Sequence, residues 1–230
     1  MKDFSKIEKI IKVSFKSQDL LKQAFVHRSY LNENPTFGLE QNERLEFLGD
    51  AVLELVVTDY LYNNYPNPEG ELTNWRASLV NSNMLSVIAK RINLEEFLFL
   101  SKGESKDKNS KARGYILANA FEALIGAIYL DQGYDSAKQF IHEFLLPELP
   151  DILAKHLYID PKSKFQEIAQ EKMGITPNYK VISESGPDHA KNFEIGVYLD
   201  EELVATGFGS SKQEAQINAA AQALKNKDWE

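Results

Sequence analysis

Glu43, Glu46, Asp50 and Glu54 follow one another at steps of three and four residues, the spacing at which side chains stack on one face of a helix. At about 100° per residue they share an arc about 80° wide, and Leu45, Leu48, Val52, Leu55 and Val56 fall on the other side, where a core is expected. A face turned only to solvent usually interleaves Lys or Arg at these steps. Here only Arg44 interrupts, and each like-charge pair costs about 0.2–0.5 kcal/mol. The helix dipole helps Glu43 and Glu46 in the first turn, but Asp50 and Glu54 lie too far along to share that help. A second stretch, Tyr115 to Leu130, is apolar except for Asn119 and Glu122, three apart on one face. Gly126 continues that stripe, and Ala118, Ala123 and Ala127 are small enough to let another helix come close.

Two readings stand side by side. In one, the first face is solvated and Glu122 is a buried, hydrogen-bonded glutamate. In the other, the two helices abut, and Glu46, Asp50, Asn119 and Glu122 present oxygens to a hard divalent cation, for which magnesium is the natural choice. Zinc is disfavoured, because the chain has no cysteine and no paired-histidine helix motif. Cations held by carboxylates lower the pKa of a bound water and stabilise charge on the attacking and leaving oxygens of a phosphodiester, with no need for a protein nucleophile.

The elements that must position these residues read as two units. Apolar residues recur at helical steps from Ile7 to Leu149, with no strand alternation, and are punctuated by Asn34-Pro35, by Tyr65-Pro66-Asn67-Pro68, by the polar run Ser101 to Gly114 and by Gln132-Gly133. Asn42 is the expected N-cap of the carboxylate helix, which runs to about Tyr62. Beyond a proline-rich joint the period changes. Ser163 with Gln166 looks like a capping box, three short alternating strands follow around Tyr179–Val181, Phe193–Leu199 and Val204–Phe208, and Ser211 with Glu214 opens an alanine-rich last helix. The expectation is a multidomain chain: an all-α domain over 1–150, a linker over 151–159, and a small α+β domain of order α-β-β-β-α over 160–230.

Composition neither separates the units nor advertises a nucleic-acid partner. The net charge is −8, and residues 1–159 and 160–230 each carry −4, with 18 Lys and Arg against 22 Asp and Glu in the first and 8 against 12 in the second. No apolar run is long enough for a membrane span, and Met1-Lys2-Asp3 opens no signal sequence, so a cytoplasmic protein without a membrane partner is expected.

Residues 42–53, NERLEFLGDAVL, closely resemble the signature of the ribonuclease III nuclease domain. The likeness extends through AFVHRSYLNEN at 24–34, WRASLVNSNML at 75–85 and ANAFEALIGAIYLD at 118–131. The second unit resembles a double-stranded-RNA-binding domain through DPKSKFQE at 160–167, GPDHAKNF at 186–193 and GFGSSKQEAQINAA at 207–220. The resemblance implies a magnesium-dependent endonuclease of double-stranded RNA, with manganese able to substitute. It also implies products with 5′-phosphate, 3′-hydroxyl and short 3′ overhangs, and a role in maturing structured precursors such as rRNA. Glu46, Asp50 and Glu122 are implied as metal-site residues, with Asp50 and Glu122 catalytic and Glu43 an acidic neighbour important for processing. Asn119 departs from the family's usual aspartate, which puts its part as a direct ligand in question.

The resemblance further implies a homodimer. Phe47, beside the carboxylates on the helical wheel, is either an edge-of-core filler or a knob inserted into the partner, and the family favours the knob. For duplex RNA the expected contacts are Gln166 on the first helix of the second unit, His189 and Lys191 after the Gly186 turn, and Ser211 with Lys212 at the start of the last helix. Lys180 is a further candidate, as is a basic loop of Lys102, Lys106, Lys108, Lys111 and Arg113. Relatives usually carry more basic residues where this chain has Gln213 and Gln216, so a modest affinity is expected. The competing reading is a non-catalytic duplex-RNA-binding dimer that keeps the nuclease fold for assembly; an acidic helical scaffold with no RNA role is a third.

Overall fold

The computed structural model describes residues 2–107, 110–187 and 191–229, in two compact units, Met1–Tyr158 and Ile159–Glu230. The first unit is helical: α1 Ser5–Ile11, α2 Gln18–Gln23, α3 Arg28–Glu33, α4 Glu43–Asn64, α5 Glu69–Val80, α6 Ser82–Arg91, α7 Lys102–Lys106, α8 Lys111–Gln132, α9 Tyr134–Phe144 and α10 Leu149–Ala154. Its axis is α8. From Ile116 to Ile128 nearly every residue but Asn119 and Glu122 is buried, so this helix is apolar almost all round and packed on several sides. Helices α4, α6 and α9 are among those that pack on it.

Helix α4 corrects the expected core face. Leu45, Val52 and Val56 are buried as expected, but so are Leu53, Val57 and Leu61, whereas Leu55 is 57% exposed. The extra buried positions fall at about 280°, 320° and 0° on the same wheel, because α4 is covered on more than one side, by α8, α5 and α9. The acidic arc is therefore not opposite the core. It lies along the core's border, where a buried surface turns outward.

Cap chemistry also differs at two places. Asn42 precedes α4 but makes no side-chain cap; its amide is buried and donates to the Ala24 carbonyl at 3.1 Å. The first helix of the second unit, α11, starts at Pro161, and its N-cap is Asp160, whose carboxylate accepts from the Ser163 amide at 2.8 Å. Proline at the first helical position suits a site whose N–H would be unpaired in any case. Part of the proline-rich joint is ordered helix: α10 buries Leu149 and Ile152 and packs on α5.

The second unit runs α11 Pro161–Met173, β1 Asn178–Ser185, β2 Asn192–Leu199, β3 Glu202–Gly209 and α12 Lys212–Asn226. The antiparallel sheet has the order β1-β2-β3. Phe165, Ala169, Val197, Leu199, Val204, Ala219, Ala220, Ala223 and Leu224 form its core between sheet and helices. Helix α12 lies hard against β3: a Cβ built on Gly207 would sit 2.1 Å from the Ala219 nitrogen, so only glycine permits that approach. The expected capping box is present in its first half, since the Ser211 hydroxyl accepts from the Glu214 amide at 3.2 Å.

Candidate active site

The carboxylates of α4 and α8 meet because two glycines let the helices touch. A Cβ on Gly49 would fall 1.8 Å from the Glu122 carbonyl oxygen, and one on Gly126 would fall 2.2 Å from the Leu45 carbonyl oxygen. Backbone thus rests on backbone. Glu46 and Asp50 flank Gly49 on one helix, and Glu122 lies one turn before Gly126 on the other, which places the acidic groups of the two helices beside each other. The sequence singled out Gly126 for this approach but not Gly49, whose signal was a lone glycine inside a strongly helical pattern.

The four acidic positions of α4 then separate. Glu54 is neutralised by Arg76 of α5, with Nε 2.8 Å from its carboxylate. Glu43 is exposed, accepts from the Gln41 amide at 3.0 Å and lies 3.9 Å from Arg28. Neither arginine partner was identified from sequence, since both contacts cross between elements. Glu46, Asp50 and Glu122 form no ion pair among the described residues.

Their electrostatics show the strain of that arrangement. Burial first, then the charges of Asp50 and Glu46, push the Glu122 carboxyl up to about 8. Glu46 is also raised, by burial, by Glu43 and by Asp50, while a hydrogen bond donated by the Asn119 side chain works in the opposite direction. Asn119 therefore relieves repulsion that an aspartate in its place would add to. Among the described residues, no three acidic or histidine side chains already close on one point as a finished metal cage. The groups are near enough to titrate one another but stand apart, as like charges do. Three carboxylates with an amide oxygen nearby make an all-oxygen donor set, chemistry that fits a hard divalent cation.

Phe47 projects from α4 with 80% of its surface exposed, so it is not an edge-of-core filler. With Ala51, Leu55, Thr58 and Tyr62 it forms an exposed stripe along the helix. Beside Tyr62 a groove of about 570 Å³ is lined by residues that include Leu61, Tyr65, Leu72 and Arg76.

In the second unit Gln166 is exposed on the second turn of α11, and Ser211 is exposed as the N-cap of α12. Lys212 is exposed but engaged, 3.0 Å from Glu184 and 5.5 Å above the Phe193 ring. Lys191 is half-buried just before β2, and Lys180 lies over the Tyr198 ring at 4.9 Å. His189, like Lys108 of the basic loop, lies outside the described residues. Within that loop Arg113 is no RNA-facing cation: it is 4% exposed and donates through Nε and one terminal nitrogen to Glu95 at 2.9 and 2.8 Å.

The family model described as Ribonuclease-III-like matches residues 17–149, and that of the double-stranded RNA binding motif matches residues 161–227. The chain belongs to the ribonuclease III family. It is 42% identical to Ribonuclease 3 of a Nitratiruptor species, over 98% of this chain and 97% of that protein. It is 46% identical to Ribonuclease 3 of Aster yellows witches'-broom phytoplasma, over 97% and 92%. Among solved structures, the nuclease domain of ribonuclease III from Campylobacter jejuni, described for flexibility in a region involved in dimer formation, aligns with a TM-score of 0.58 at 38% identity, covering 64% of this chain and 99% of that one. Ribonuclease III membership makes the chain an endoribonuclease acting on double-stranded RNA, built from a helical nuclease domain and an α-β-β-β-α RNA-binding domain.

Proposed function

We propose that this ribonuclease III cuts both strands of duplex RNA as a homodimer that uses magnesium, or manganese in its place, held by Glu46, Asp50 and Glu122, with Asn119 beside them and Glu43 at the rim. The observation that carries the reading is Glu122, a half-buried carboxylate pushed up to about 8 by burial first and then by the charges of Asp50 and Glu46, with no ion-pair partner for the three among the described residues. A dication bound there supplies the charge that activates water and stabilises the phosphodiester oxygens. The protein's part is positional. The Gly49–Gly126 crossing keeps Glu46, Asp50 and Glu122 near one another, the Asn119 side chain beside Glu46 favours its charged form, and Glu122 in its ionised form would complete the set of carboxylates that hold the metal. Products with 5′-phosphate and 3′-hydroxyl ends and short 3′ overhangs, maturation of structured precursors such as rRNA, and a cytoplasmic setting belong to the same reading.

The exposed stripe on α4 supports the dimer. Phe47 and Tyr62 are 15 residues apart, about 22 Å along the helix. Two copies of α4 laid antiparallel about a two-fold near Leu55 bring each Phe47 to the other's Tyr62, where the groove can receive its ring. Duplex RNA would be gripped by Gln166, Ser211, Lys212 and Lys191, together with His189, over a unit spanning 160–230; the nuclease unit spans 1–150, and 151–159 joins them. Incubation with long double-stranded RNA tests the whole. Magnesium should give cleavage and EDTA none, and binding without cleavage in magnesium would leave a non-catalytic RNA-binding dimer.

A further inference from the structure

We infer that Glu184 competes with RNA phosphate for Lys212, and so holds the duplex affinity of the second unit below what its lysines alone would give. The inference rests on the reading of Lys212 as a phosphate contact. Glu184 on β1 pairs in register with Phe193 on β2. Lys212, the first residue of α12, reaches across both, its Nζ 3.0 Å from the Glu184 carboxylate and 5.5 Å above the Phe193 ring. The lysine and glutamate side chains are 57% and 40% exposed, so a phosphate can approach the ammonium, but only beside an existing carboxylate.

Lys212 has little freedom to leave. Its helix is fixed on β3 by the Gly207 contact and by the Asn218 amide, which donates to the Phe208 carbonyl at 2.7 Å. The same helix end already carries a second carboxylate, because Glu214 accepts from the Ser210 amide and hydroxyl at 3.0 and 2.6 Å. The two acids differ in what they do. Glu214 occupies a helix cap and its loss would weaken the helix, whereas Glu184 touches α12 through Lys212 and makes no cap. The Phe193 ring supports the ammonium with or without Glu184. Removing the carboxylate therefore frees the lysine rather than releasing it from its place. A carboxylate and a phosphate sharing one ammonium repel each other, and that repulsion is a screened Coulomb effect between exposed charges.

Duplex binding by the full chain, measured by fluorescence anisotropy in EDTA over a range of salt, tests this with Glu184→Gln, Lys212→Ala and the double variant. Glu184→Gln should bind about three- to tenfold more tightly at low salt, the gain shrinking as salt rises. In the Lys212→Ala background the gain should largely disappear. Glu184→Thr, a good strand former with no charge, should repeat the effect if the glutamine variant folds poorly. Weaker or unchanged binding in folded Glu184 variants would mean that the carboxylate orients Lys212 or is silent, and would overturn the inference. So would a gain that persists undiminished without Lys212, which would assign it to general charge. A Lys212→Ala variant that binds like the parent would instead remove the phosphate-contact reading on which the proposal stands.

Discussion

Both units of this ribonuclease III carry a net charge of −4, yet they treat their carboxylates in opposite ways. In the nuclease unit Glu46, Asp50 and Glu122 are gathered at a helix crossing with no counter-cation among the described residues, while the flanking Glu43 and Glu54 are given Arg28 and Arg76. In the RNA-binding unit two lysines are matched one to one with carboxylates, Lys212 with Glu184 and Lys227 with Glu202. Net charge therefore says little about what either unit binds; the position of unmatched charge says more. An unmatched acidic cluster costs folding energy that a bound dication would return, whereas a matched lysine meets phosphate only against the carboxylate it already holds.

The comparison breaks most visibly at Glu122. Glu122→Gln keeps the shape but removes one of the three unmatched charges, and cleavage in magnesium should fall by at least about 10²- to 10³-fold while duplex binding stays nearly as in the parent. Full activity at saturating magnesium would exclude Glu122 as an essential ligand. Partial recovery at high metal would indicate a weakened site.

Phe47→Ala probes the surface next to that cluster without touching its charge. If the ring fills a groove on a second copy, its loss should weaken the dimer by about 3–5 kcal/mol, read by sedimentation equilibrium. An unchanged dimer constant would leave the exposed stripe of α4 without a role in assembly.

The unmatched cluster should also show itself in pH-dependent stability without metal. A carboxyl raised from 4.5 to about 8 by folding binds its proton more tightly in the native state, so its stabilising effect is complete below about 4.5 and is lost as the pH rises toward 8. The melting temperature in EDTA should thus fall across that window relative to Glu122→Gln, in which the group cannot titrate. Parallel curves for the two proteins would mean that Glu122 carries no such strain.

What the sequence showed and what it hid divide along the range of the interactions. The helical steps of the carboxylates, the Asn119–Glu122 stripe, the three strands and the Ser211–Glu214 contact are set within a few residues and could be read directly. Asn42 looked like a cap because residue type favours it, but its amide goes to Ala24, 18 residues away, which no local pattern records. Leu55 was placed in the core on a wheel that assumed a single buried side, and α4 has more than one. Arg28 and Arg76, which decide that Glu43 and Glu54 are compensated and the other three acids are not, belong to other helices. The local pattern thus revealed which residues could do chemistry, and tertiary contact decided which of them remain unmatched.

Asn119 offers the finest test of that division, because the change there adds charge without altering size. Asn119 donates a hydrogen bond to Glu46, and aspartate would replace that donor with a fourth carboxylate in the cluster. With magnesium present, the added charge and a stronger oxygen should lower the half-saturating metal concentration for cleavage. Without metal, the same charge should raise the neighbouring carboxyls further and cost stability. A melting temperature about 2–4 °C lower in EDTA at pH 8 would correspond to about 1 kcal/mol in a chain of this size. At pH 5, where Glu122 holds its proton, the deficit should narrow, since one of the repelling charges is gone. The two effects share one origin and should appear together. If neither the magnesium dependence nor the EDTA melting temperature moves, residue 119 lies outside the field of the cluster, and the unmatched acids number only those of Glu46, Asp50 and Glu122.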